Sequence, residues 1–263
     1  MFTPTIVTAL YDIQRSSKGD GRTMEEYFNW LEKTLSLNTR FIIFIQDTLC
    51  EQLEHFITKN NTLASRLIIK KTKINEIPYY KYKTQMDNIL TNTEYKNKIK
   101  DSERIECKLA MYNIIQYSKL EWIRIAIEEN PHKSTHFFWM DAGCSRFFNT
   151  VDLTKEWPNM NNSLINSKIT IQGRSDLYYY AGWDTLYLNS TNLLYGTMFG
   201  GDKDNMLWLA DMIRNVFEQL LNINIINNEQ IALALIWKKF PERFNIYINN
   251  SSMHLPLFTM LSI

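Results

Sequence analysis

Glycine is scarce in this chain: 8 residues of 263, about half the roughly 7% usual in proteins. Histidine is scarcer still at 4, and cysteine stands at 3. Three widely spaced cysteines, Cys50, Cys107 and Cys144, build neither a disulfide framework nor a zinc box, which points to a reducing compartment. No apolar run approaches the ~18 residues of a membrane span. The opening MFTPTIVTALYD carries no basic n-region and no small-residue cleavage site, so it is not expected to act as a secretory signal. A net charge of +1 argues against a dedicated nucleic-acid binder. A Ser nucleophile elbow, a local Cys/His signature and a dinucleotide fingerprint are all missing, which leaves hydrolase and dehydrogenase readings without support.

What is present describes a folded chain. At 45% hydrophobic and 22% charged it is too apolar for disorder, and it is long enough to bury one substantial core. Thr5–Leu10 reads as a short strand, and MEEYFNWLEKTLSL (from Met24) has apolar residues at helical spacing. FIIFIQ and SRLIIKKT supply two more strands, with Thr48 and Glu51 forming a capping box on the helix between them. Strands alternating with helices predict βαβ units and a parallel sheet. Ile105–Glu129 reads as one long helix ending before Asn130-Pro131. Further strands are expected at THFFWMDAG, KITIQG and DTLYLNSTNLLYGTMFGG. Helices follow at Lys203–Leu221 and at EQIALALIWKKF, the latter capped by Asn227 or Asn228. The tail HLPLFTMLSI reads as a buried final strand. The fold class is therefore α/β: one domain over residues 1–263 with a mostly parallel central sheet flanked by helices.

Four segments could carry chemistry. His136-Phe-Phe-Trp-Met-Asp-Ala-Gly143 is an aromatic strand ending in an acid, a small residue and a glycine. In open α/β sheets ligands bind beyond the carboxyl ends of the strands. There Asp141 could coordinate a hard cation, while Ala142 and Gly143 let the backbone approach a ligand; the same residues also suit an ordinary turn. The exit of the first strand, Thr8-Ala9-Leu-Tyr11-Asp12-Ile-Gln-Arg15, offers a ring to stack on a base, a carboxylate for a base or ribose, and a guanidinium for a diphosphate. Tyr195-Gly-Thr-Met-Phe-Gly200-Gly201 reads as a glycine-rich loop whose N–H groups could hold ligand oxygens. Asn227-Asn-Glu229-Gln230 opens a helix with an acid that could act as base, nucleophile or electrostatic stabiliser. Residues 59–124 hold 14 Lys/Arg against 7 Asp/Glu, mostly a solvated face. Lys119 and Arg66 are the members placed to serve a phosphorylated ligand.

The strings TALYDIQR, YSKLEW and FFWMDAG, within an order of elements that spans most of the chain, resemble the HtrL/YibB family, bacterial proteins associated with surface polysaccharide genes. That resemblance implies a GT-A-like, Rossmann-like glycosyltransferase: a nucleotide-sugar-binding half over about residues 1–145 and an acceptor-side half over about 146–263. It implies a nucleotide-sugar donor, a UDP-sugar first, held by Thr8, Ala9, Tyr11, Asp12, Arg15, Arg66, Lys119, Ala142, Gly143, Gly200 and Gly201. Asp141, helped by His254, would hold Mn²⁺ or Mg²⁺. Glu229, Gln230 and Asp141 would serve catalysis, with a lean toward retention from the glycine-rich loop followed by Glu-Gln. Gly143 departs from the pattern, since it stands where an acid-x-acid motif carries its second acid. A catalytically silent nucleotide- or glycan-binding protein on the same fold is the alternative. The expected partners are the donor and a polysaccharide, glycan or glycoconjugate acceptor, with no nucleic acid; a homo-oligomer is compatible. The expected location is cytoplasmic, with peripheral membrane association compatible.

Overall fold

Apolar runs without alternation become strands when both their faces are covered. Such runs form β1 (Pro4–Leu10), β2 (Phe41–Gln46) and β4 (His136–Met140), each buried along nearly its whole length. The computed structural model describes residues 4–148, 152–249 and 256–263. With β3 (Leu67–Thr72), β5 (Ile169–Arg174), β6 (Leu194–Asp202) and β7 (Phe244–Asn249), these strands make one seven-stranded sheet of order β3-β2-β1-β4-β6-β5-β7. Strands β3, β2, β1 and β4 are mutually parallel, and β5 is parallel to β7. Only β6 runs against its neighbours. The chain forms a single α/β domain with a mostly parallel sheet.

Helices cover both faces. Helix α1 (Met24–Leu35) starts in a capping box between Thr23 and Glu26. It packs Phe28 and Leu31 with Ile6, Phe138 and Met140 on one side of the sheet. On the other side lie α3 (Ala110–Glu129), α4 (Lys203–Asn222) and α5 (Glu229–Lys239), packed with Val7, Phe137 and Trp139. Ile114, Leu120 and Ile123 of α3 are fully sealed, and each such side chain contributes about 1.5–3 kcal/mol of burial.

Several local expectations are corrected. Helix α2 begins at Cys50 and ends at Thr58 without a side-chain cap. Thr48 sits instead in a 3₁₀ turn, where its hydroxyl accepts from Gln46 and its N–H donates to Asp47. The long helix is shortened to Ala110, because Leu109 is extended and Asn113 donates to the Glu106 carbonyl of the preceding turn. Residues 184–192 form no strand: the Asn227 amide donates to the Tyr187 and Asn189 carbonyls, which satisfies that backbone without a ladder. Asn228, rather than Asn227, caps α5 through Ile231 N–H. The tail holds a short helix, α6 (Pro256–Met260), whose Phe258 stacks on Trp157 and Phe148.

This topology positions the site. The chain runs outward from β1 through β2 to β3, then crosses back to place β4 on the other flank of β1. Where strand order reverses, a crevice opens at the carboxyl ends of the two diverging strands. Being antiparallel, β6 delivers its amino-terminal residues to that same edge: Asp141 N–H donates to the Thr197 carbonyl at 2.9 Å.

Candidate functional site

A cleft of about 380 Å³ lies at this switch point. The β1 exit lines it with Ala9, Tyr11 and Asp12, and the β4 exit with Asp141, Ala142 and Gly143. Tyr27 comes from α1, Tyr112 and Gln116 from α3, Tyr195 and Thr197 from β6, and Gln230 from the first turn of α5. Residues far apart in the chain thus meet because every one of these segments ends at the same sheet edge.

Behind the cleft sits a buried ionic triad. The Lys119 ammonium, 1% exposed, lies 2.7 Å from Glu229 Oε1 and 3.0 Å from Asp141 Oδ1, and donates to the Gly196 carbonyl at 3.0 Å. Burial by itself would depress this lysine; the two carboxylates outweigh it and raise its pKa. Glu229 is fully enclosed, and burial pushes its carboxyl up against the pull of Lys119. Asp141 also accepts the Trp139 indole N–H at 2.7 Å. A methyl group at Gly196 would overlap Glu229 Oε1; glycine there is what lets α5 bring its first turn against β6.

Several expected ligand contacts are corrected by these positions. Lys119 is spent on three acceptors inside the protein and does not line the cleft. Glu229 is sealed beneath it, and its neighbour Gln230 faces it instead. Thr8 is wholly buried in β1 opposite Ile43. Arg66 precedes β3, at the end of the parallel sheet opposite the cleft, and binds the carbonyls of Leu35, Leu37 and Thr39. Gly200 and Gly201 lie inside β6, paired with Phe138 and Phe137, away from the cleft. The glycine-rich segment is therefore a strand, and a Cβ at Gly200 would run into the Phe138 ring. Tyr11 lines the cleft but is 6% exposed, with its ring stacked on Trp122 and its hydroxyl bonded to Thr72. His254 lies outside the described residues.

Arg15 reaches the cleft, paired with Asp20 and donating to the Tyr27 hydroxyl at 2.5 Å. Three further arginines that the sequence did not single out line it too: Arg22, Arg146 and Arg174. So do Tyr27, Tyr112 and Tyr195. None of these carries a local signal, apart from the position of Tyr195 beside Gly196.

The donor set does not suit a divalent cation held by the protein. Mg²⁺ asks for an octahedral shell of oxygens, and even a hydrated site normally has one or two carboxylates free to bind it. Asp141 shares its Oδ1 with an indole N–H and an ammonium, Gly143 brings no second acid, and the other carboxylate of the cleft, Asp12, lies on the β1 exit and accepts the Gln14 N–H. Among the described residues no three His, Cys, Asp or Glu side chains converge on one point.

The chain matches a family model described as "Bacterial protein of unknown function (HtrL_YibB)" over residues 3–259. It is 24% identical over 259 residues to Protein HtrL of Escherichia coli (strain K12), covering 92% of this chain and 86% of that protein. Among solved structures, the galactosyltransferase LgtC in complex with donor and acceptor sugar analogs aligns with a TM-score of 0.46 and 10% identity, over 98% of this chain and 82% of that one.

Proposed function

The chain belongs to the HtrL_YibB family, and from the chemistry of its cleft we propose that it is a glycosyltransferase using a nucleotide-sugar donor. One observation carries the reading: at the β1/β4 switch point, Tyr11-Asp12 and Asp141-Ala142-Gly143 line one cleft together with Gln230. An open α/β sheet receives nucleotides at such a reversal. In this reading Asp12 meets the base or ribose of a UDP-sugar, Ala142 and Gly143 pass close to the diphosphate, and Asp141 and Gln230 meet the sugar. Arg174, Asn192 and Tyr195, from the half beyond about residue 145, border the acceptor, a glycan or glycoconjugate. In this reading the enzyme works in the cytoplasm, a reducing compartment that suits three free cysteines.

Transfer breaks the bond between the anomeric carbon and the diphosphate oxygen while the acceptor oxygen bonds to that carbon. Negative charge grows on the leaving diphosphate, and fixed positive groups aimed at it lower the barrier. Mn²⁺ or Mg²⁺, the group the family resemblance implies, would supply such charge when bound; the carboxylates present do not form a set to hold it. Retention of configuration accompanies this reading: of the two side chains assigned to the sugar, Gln230 is an amide, and Asp141 Oδ1 is held on the Lys119 ammonium. An inverting displacement needs a competent general base.

A second reading, a catalytically silent nucleotide- or glycan-binding protein, draws support from the enclosure of Glu229. Incubation with UDP- and GDP-sugars, following nucleoside diphosphate release and the unfolding midpoint together, separates the two. Slow donor hydrolysis that disappears in Asp141→Ala and Gln230→Ala supports the transferase. A raised midpoint with no release supports the silent binder. No response to any nucleotide sugar would remove both.

A further inference from the structure

We infer that Arg22 and Arg146, with the charge of Arg15 beside them, bind the phosphate groups of the ligand directly, in place of a divalent cation. This rests on the nucleotide-donor reading above and adds the means by which the cleft holds its anion. All three side chains line the cleft, beside the β4 exit. Asp20 pairs with Arg15 at 2.5 Å and with Arg22 at 3.2 Å, so one carboxylate serves two guanidiniums. Arg146 has no carboxylate within 4.0 Å among the described residues.

Two of these guanidiniums, Arg15 and Arg146, are held in place by rings. Arg146 lies 5.1 Å over Trp30 and 4.6 Å over Phe147; Arg15 lies 5.2 Å over Tyr112 and 5.9 Å over Tyr27. Fixed on aromatic faces, the Arg146 guanidinium still presents an N–H edge that matches phosphate in a two-point contact, whereas Arg15 gives Nε and Nη2 to Asp20 and Nη1 to the Tyr27 hydroxyl and contributes its charge. Burial, and after it the charge of neighbouring Arg22, lowers the pKa of Arg146. Like charges gathered in this way are relieved by an anion placed among them.

Gly143 links this arrangement to the missing acid. A Cβ at 143 would lie 3.1 Å from Trp30 Cε3 and 3.5 Å from Tyr27 Cε1. Those two rings are the supports of Arg146 and Arg15. A side chain at 143, including the carboxylate of an acid-x-acid motif, would crowd Trp30, the ring that carries Arg146, and would meet Tyr27 at ordinary contact distance. The glycine and the arginine cradle are therefore two parts of one packing solution, and Lys119 already balances the remaining acid, Asp141.

The test is isothermal titration of the purified chain with UDP, GDP and inorganic pyrophosphate, in EDTA and again with Mn²⁺ or Mg²⁺. At least one probe is expected to bind in EDTA, with affinity that metal does not raise and that falls with salt. Arg146→Gln and, separately, Arg22→Gln should weaken that binding about tenfold or more, with unfolding midpoints near wild type. Binding that needs Mn²⁺ or Mg²⁺, or that ignores both arginine changes, overturns this inference and leaves the donor reading standing. No binding of any probe with or without metal overturns both.

Discussion

Lys119 Nζ and Glu229 Oε1 meet 2.7 Å apart, 1% and 0% exposed, with the Asp141 carboxylate closing the triad at 3.0 Å from the same ammonium. A charge pair this deep rarely stabilises a fold beyond what apolar groups would do, yet breaking it from one side is costly. Here it ties helix α3 to the first turn of α5 and to the β4 exit, so the cleft inherits its rigidity.

Lys119→Met should lower stability by about 3–5 kcal/mol, because it strands the Glu229 carboxylate in the core. The double variant Lys119→Met/Glu229→Gln should recover much of that loss, since no enclosed charge is left alone. Urea denaturation of the two variants beside wild type measures the difference.

Gly196→Ala forces a methyl group onto Glu229, and overpacking of this kind costs about 1–3 kcal/mol. Gly182→Ala is the control, with its closest neighbour, the Tyr179 carbonyl oxygen, at an ordinary 3.7 Å. The unfolding midpoint of the first should drop clearly, and that of the second should stay near wild type.

The protein should lose stability steeply at alkaline pH. Burial pushes the Tyr11 phenol from 10.0 up to about 12, and it raises Tyr79, Tyr95, Tyr112 and Tyr117 as well. The folded state keeps these protons after the unfolded chain has released them. Their contribution is therefore complete below pH 10 and is lost as pH climbs through the folded values. Urea midpoints measured across that range should fall, and Tyr11→Phe should make the fall shallower. A flat profile would contradict the assignment.

Arg66→Ala should reduce stability by about 1–3 kcal/mol through three carbonyls left without their cation. Nucleotide affinity should not change, because the side chain lies at the opposite end of the sheet. Calorimetry with UDP beside thermal unfolding reads both quantities.

The strand exits at Ala9–Asp12 and Asp141–Gly143 were legible because their signal is local: an apolar run that stops at an acid. Orientation across the sheet was not. The segment Tyr195–Gly201 has the same composition as a loop or as a strand, and only the antiparallel direction of β6 brings Tyr195 and Thr197 to the cleft and carries Gly200 and Gly201 away from it. Arg66 resembled an anion ligand until its end of the sheet was known. Glu229 and Gln230 are adjacent, yet one is enclosed and the other faces the cleft, a choice set by how α5 packs on β6.

By itself the sequence determined the alternation of strands and helices, most of their boundaries and the two exits that frame the cleft. Those follow from local propensity, apolar runs and caps, whose range is a few residues. Only the tertiary structure decided that Lys119 is an internal counter-ion and that Arg15, Arg22 and Arg146 gather beside Gly143. Such facts depend on contacts between segments distant in the chain, and the burial that fixes them exists only once the sheet has closed its order.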